Sequence, residues 1–232
     1  MPINEDSNLR EQQILAAAGA LLIRQGYDKT TMSDVATEAG ISRGMVYLAF
    51  ATKEQLFDQV LAQAIQAYIA TWQQLIAENR YGGTIGGVYR AVLHALKSQP
   101  IMAALMKRDR RVLGRYVQQA ASGMPALAGQ SLWLRALGEL QAAGAIRAEL
   151  DLQVIAHILD LLAFGLMHGD SLADSAASPP FEHVLPTIAL MLDRLLLPDD
   201  GGNLAAGAAI IQALAANLQA PSASPIPNVV QA

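Results

Sequence analysis

The chain has 232 residues, 53% of them hydrophobic, and carries 16 Lys and Arg against 20 Asp and Glu, a formal net charge of −4. That content supplies core for one large domain or for a small domain joined to a larger one, and the acidic balance excludes a uniformly basic, nonspecific nucleic-acid binder. The absence of cysteine excludes disulfides, thiolate catalysis and Cys-based metal sites.

Aromatic residues make up only 5%, Ala and Leu dominate, and no run alternates β-branched residues, which points to an all-α protein. The opening MPINEDSNLREQQ lacks the basic-then-apolar pattern of a secretory signal. The most apolar stretches are broken by Asp160, or by Asp193 and Arg194, so a cytoplasmic chain without a membrane span is expected.

In chain order, residues 9–25 place Ile14, Ala17, Ala18, Leu21 and Leu22 on one stripe, and Gly26 is positioned to end that first helix. Thr31 followed by Asp34 opens a short second helix to Gly40. A third helix starts at Ser42 or Arg43 and ends near Phe50. Gly40 suits the sharp turn between them, while Ala36, Ile41, Val46 and Phe50 face inward, the logic of a helix-turn-helix. With Val46 inward, the 100° step per residue turns Gly44 and Leu48 outward, flanked by Met45 and Tyr47. Thr52 with Gln55 then opens a long helix that carries Leu56, Val60, Ile65, Ile69 and Trp72 and breaks at Gly82 and Gly83.

The stretch ILAAAGALLIRQGYDKTTMSDVATEAGISRGMVYLAFATKEQLFDQVL resembles the N-terminal domain of the TetR family of bacterial transcriptional regulators. The resemblance covers residues 9–61. It implies a three-helix DNA-binding domain over 1–53, with the third helix in the major groove of double-stranded DNA and phosphate contacts from Thr31, Tyr47, Thr52 and Lys53. Capped helix ends can bind phosphate through backbone amides without side-chain charge. Arg43 is the candidate for a guanine contact, and Met45 with Leu48 offers apolar surface suited to thymine methyl groups. Where the family often has Y-x-H-F or Y-x-Y-F this chain has YLAF, so Ala49 lacks a polar group that commonly reaches the DNA backbone. Residues 1–53 hold five basic residues against six acids, so a shallow salt dependence is expected.

Gly, Pro and Ser breaks separate further helices at about 84–98, 100–118, 125–143, 151–169 and 181–197, and the resemblance further implies that residues 54–200 form a helical effector-binding and dimerisation domain. The last two helices would pair in a four-helix bundle between subunits. Residues 181–197 carry two apolar stripes, Val184, Ile188, Met191 and Leu195 on one and Leu185, Ala189, Leu192 and Leu196 on the other. Two stripes mean two partners, which fits a homodimer or a helix buried in a monomer.

His157, Leu161, Phe164 and His168 share a face of the preceding helix. The histidines stand about 16 Å apart, too far to chelate a metal between them, and serve as pocket, interface or core residues. Tyr89, His94, Met102, Met106, Tyr116, Trp133 and Met167 are further candidates for an apolar small-molecule pocket, and each is equally at home in a core. The run KRDRRVLGR, residues 107–115, is either a solvated helix face or a basic surface abutting the acidic small domain. Residues 201–232 are uncharged, and 204–218 have the spacing of one more helix before a polar, Pro-rich tail.

The expected protein is a ligand-responsive repressor without catalytic residues, metal or other cofactor. The alternative is a helix-turn-helix adaptor or nucleoid-binding protein that takes no effector.

Overall fold

The computed structural model describes residues 3–78, 84–116, 129–172 and 179–219. All regular elements among the described residues are helices: α1 (Ile3–Gln25), α2 (Met32–Ala39), α3 (Arg43–Ala49), α4 (Lys53–Ala77), α5 (Ile85–Ser98), α6 (Pro100–Met106), α7 (Arg110–Leu113), α8 (Gly129–Ala142), α9 (Leu152–Leu172), α10 (Phe181–Leu196) and α11 (Leu204–Gln219). They form two compact units, Met1–Tyr68 with Gln99–Ala120, and Ile69–Ser98 with Ala121–Ala232.

In the first unit α1 packs on α2, α6 and α7, and α2 on α3. The expected stripe of α1 is buried throughout, and Val35, Val46, Leu56 and Phe57 complete an apolar core. The helix starts six residues earlier than the periodicity indicates, with Asp6 in a first turn where the helix dipole favours a negative charge. At its other end Gly26 adopts φ +84°, and its N–H closes on the Leu22 carbonyl at 3.0 Å.

The expected single helix over 100–118 is two short ones. Pro100 opens α6, and the chain then turns at Arg108, a non-glycine residue at φ +48°. Asp109 caps α7 by accepting from the Arg111 N–H at 2.9 Å. An aspartate free to bond the backbone ahead of it favours a helix start over a helix interior, and here it overrides the apolar spacing. This segment lies with α1–α3 in the first unit. Tyr27 N–H donates to the Val112 carbonyl at 2.8 Å, and the Arg115 guanidinium stands 3.7 Å from Asp28. The run thus meets the small domain through Val112 and Arg115, while Arg108, Arg110 and Arg111 face solvent.

In the second unit α5 packs on α10, and α8 on both α9 and α11. Asp193 caps the start of α5, accepting from the Gly86 N–H at 2.7 Å and the Thr84 hydroxyl at 2.8 Å. Gly86 is required there because a Cβ would stand 2.1 Å from the Ala189 carbonyl oxygen. The anticipated C-terminal helix forms as α11, with Ile211 and Leu214 buried but Leu204 42% exposed. Leu218 and the Pro-rich tail beyond 219 lie outside the described side chains.

Candidate nucleic-acid interface

Thr31 and Asp34 form a reciprocal capping box at the start of α2, Asp34 N–H donating to Thr31 Oγ1 at 3.1 Å and Thr31 N–H to Asp34 Oδ2 at 2.8 Å. The bond from the Thr31 backbone, with that from its hydroxyl, holds the Asp34 carboxyl below the usual range. Gly40 ends α2 in the left-handed conformation at φ +68°. Ile41 N–H reaches back to the Ala36 carbonyl at 3.0 Å and Gly40 N–H to that of Thr37 at 3.2 Å. Those bonds satisfy the last carbonyls of α2 and turn the chain sharply into α3. Arg24 clasps Glu38 with a two-pronged pair at 3.0 and 2.6 Å, tying α1 to α2 and spending one of the unit's positive charges.

Ser42 caps α3 by accepting from the Met45 N–H at 3.4 Å. Val46 and Phe50 anchor the helix in the core. Gly44 and Leu48 face outward, Leu48 at 87% exposure, and Tyr47 is 41% exposed. Met45 is half-buried, so it contributes less free surface than Leu48. Arg43 lies back along the helix, its Nη2 donating to the Tyr47 hydroxyl at 3.3 Å and its guanidinium carbon 5.3 Å from the centre of that ring. The pair forms one preassembled polar edge beside an apolar tip.

Thr52 caps the start of α4, Gln55 N–H donating to Thr52 Oγ1 at 3.1 Å, and the Gln55 side chain reaches one residue further back to accept from the Ala51 N–H at 3.2 Å. Lys53 departs from expectation. Its ammonium points inward, donating to the Tyr27 carbonyl at 2.5 Å and lying 4.1 Å from the centre of the Tyr27 ring. Burial, and then the charge of Arg115, lower the Lys53 pKa from its ordinary value.

Tyr27 itself is almost fully buried. Its hydroxyl donates to Glu54 at 3.1 Å, and its ring stacks on Tyr116 at 5.1 Å. Burial first, then the bond to Glu54, pushes its phenol up to about 12. Tyr27 is not among the expected site residues; the glycine-tyrosine pair between two apolar helices is its signal in the sequence.

The remaining candidates separate. Met102, Met106 and Tyr116 belong to the first unit, where Met102 is buried in the core and the Tyr116 hydroxyl donates to Asp58. In the second unit, buried Tyr89 donates its hydroxyl to the Leu159 carbonyl at 2.8 Å and lies 5.7 Å from Trp133. Met167 is buried, and His94 approaches Glu182 at 3.9 Å. Phe164 is 56% exposed and stacks on His168 at 4.0 Å. None of these lines the small apolar cleft bounded by Ile85, Val88, Leu140, Leu197, Leu204 and Ile211. Among the described residues no group of three His, Asp or Glu is placed to hold a metal, and no helix is long and apolar enough to cross a membrane.

The capped helices, the glycine turn and the outward face of α3 define a helix-turn-helix protein, and comparison with known proteins sharpens that class. Residues 14–60 match the family described as bacterial regulatory proteins, tetR family. The uncharacterized HTH-type transcriptional regulator YfiR of Bacillus subtilis is 42% identical over 57 residues, 25% of this chain and 28% of that protein. The HTH-type transcriptional repressor KstR2 of Mycolicibacterium smegmatis is 23% identical over 147 residues, 63% of this chain and 72% of that protein. NalD, the secondary repressor of the MexAB-OprM multidrug efflux pump in Pseudomonas aeruginosa, shares the fold at a TM-score of 0.55 and 20% identity, over 83% of this chain and 99% of NalD. The N-terminal module, residues 14–60, is therefore similar to the helix-turn-helix of tetR-family regulators.

Proposed function

We propose that the chain is a homodimeric transcriptional repressor that binds a palindromic DNA site through α3 and is released by a small-molecule effector bound in the second unit. The observation that carries the DNA reading is the outward face of α3, where Leu48 projects almost fully exposed beside the Arg43–Tyr47 pair on a helix whose other face is locked in the core. Arg43 reads a guanine edge and Leu48 a thymine methyl, while Gly44 admits the helix closely to the groove. Thr31, Tyr47 and the first-turn amides of α4 behind Thr52 hold phosphates. The likeness to repressors such as KstR2 and NalD supports the sense of regulation.

Dimerisation rests on unburied apolar faces of α9 and α10. Val154, Ile158, Leu161 and Phe164 on α9, and Leu190, Met191 and Leu195 on α10, are each more than a third exposed, whereas Leu185, Ala189, Leu192 and Leu196 are buried. One stripe of α10 therefore serves its own subunit. The other stripe, Val184, Ile188, Met191 and Leu195, together with His157 and Leu161, serves a second copy. Tyr89, Trp133, Met167 and His94 remain the candidates for the effector's surroundings.

The test is retention of a fluorescent duplex, recovered by the full chain from a randomised pool, in the presence of a panel of apolar and aromatic small molecules. Release by some members is expected. A duplex held tightly and moved by none of them would favour the effector-free adaptor.

A further inference from the structure

We propose that Lys53, the first residue of α4, is a positioning residue of the DNA reader and not one of its phosphate-binding cations: it holds the turn after α1 at Tyr27 and so fixes where the amides of α4 and the face of α3 meet the duplex. This rests on the DNA-binding reading above. Adjacent residues of α4 grip one buried residue at its backbone and at its side-chain tip. Lys53 donates to the Tyr27 carbonyl at 2.5 Å, and Glu54 accepts from the Tyr27 hydroxyl at 3.1 Å.

The ammonium is lodged between rings, 4.1 Å from the centre of Tyr27 and 6.0 Å from that of Phe57. A compact ammonium on a flexible stem suits such a corner. To reach a phosphate it would have to abandon a charge-assisted bond and leave the Tyr27 carbonyl with the weaker bond from the Thr30 N–H at 3.2 Å alone. Tyr27 also carries the turn's connection onward, since its N–H bonds the Val112 carbonyl at 2.8 Å. With Arg24 already paired to Glu38, the reader then relies on helix ends, and Lys53 acts by keeping one of those ends in place.

Two measurements decide it on the full-length chain. The first compares wild type with Lys53→Met, which keeps most of the apolar stem and removes the charge, on the duplex recovered from the randomised pool across a salt series. Positioning predicts a loss of about tenfold at every salt concentration with an unchanged slope. A phosphate contact predicts a slope shallower by about 0.9 for each subunit, and that result, or full affinity in the variant, overturns the proposal.

The second measurement needs no variant: acylation of lysine amines, read by mass spectrometry, in the free chain and with duplex. Lys53 is expected to react slowly in both, with exposed Lys29 as the internal standard. Fast reaction in the free chain that duplex suppresses overturns the proposal. If no duplex is recovered at all, the DNA reading fails, while the free-chain acylation still tests the Tyr27 contact.

Discussion

A Cβ on Gly26 would stand 2.1 Å from the carbonyl oxygen of Arg111. The turn after α1 and the segment opening at α7 are therefore in backbone contact, at a residue that also holds φ +84°. Strain and overlap act together, so Gly26→Ala is expected to destabilise the chain by about 2 kcal/mol or more. For a chain of this size that lowers the melting temperature by several degrees, read by circular dichroism. A melt unchanged from wild type would contradict the contact.

The carboxyls of Asp34, Glu38 and Asp109 are each held below the usual range, by bonds from Thr31, Arg24 and Arg111 respectively. A carboxyl with a depressed folded pKa stabilises above its unfolded value and loses that contribution as pH falls through the folded value. Stability is expected to be flat in these groups from about pH 5 to 8 and to decline below about pH 4. Asp34→Asn should weaken the acid dependence, measured by melts from pH 2.5 to 7.

Tyrosine behaves oppositely at the alkaline end. With the Tyr27 phenol pushed up to about 12, and that of Tyr116 raised further by burial and its bond to Asp58, the folded state prefers the protonated form. That preference stabilises fully below the ordinary value of about 10 and is lost as pH rises toward and through the folded value. Ultraviolet titration should show Tyr27 ionising only as the fold gives way. Ionisation of all six tyrosines in a single step near 10 would contradict the buried cluster.

Met191→Asp and Leu195→Asp place charge on the unburied stripe of α10, where the wild-type side chains are 65% and 47% exposed. Sedimentation is expected to show half the wild-type mass with helicity retained. Burying an unpaired carboxylate in an apolar contact costs several kcal/mol, enough to dissociate most dimers at micromolar concentration. An unchanged mass would place the subunit contact elsewhere.

Arg43→Ala is expected to lower affinity for the selected duplex and relax the preference at one base pair by about 1–3 kcal/mol. Leu48→Ala should act at a different position, and less strongly. A uniform loss across sequences from either variant would make that residue a phosphate contact.

The helix-turn-helix was legible because its signals are local. Thr31 with Asp34, Gly40, and Thr52 with Gln55 each fix backbone geometry within four residues, and the apolar stripe of α1 follows from helical spacing alone. The break between α6 and α7 was not legible, since it depends on Arg108 entering the left-handed region inside a run that otherwise reads as a helix face. The direction of Lys53 depends on Tyr27, 26 residues earlier, and no spacing reveals which way a flexible ammonium turns. The pocket candidates scattered between two units because buried Met, Tyr and Trp satisfy a core and a cavity by the same chemistry.

The most direct test of the central claim is selection of double-stranded DNA from a randomised pool by the full-length chain, followed by sequencing. The account predicts an enriched inverted repeat whose half-sites lie one helical turn apart, about 10 base pairs or a multiple, with the enrichment lost in Arg43→Ala. Retention of no duplex, or of duplexes with no common sequence, would contradict it.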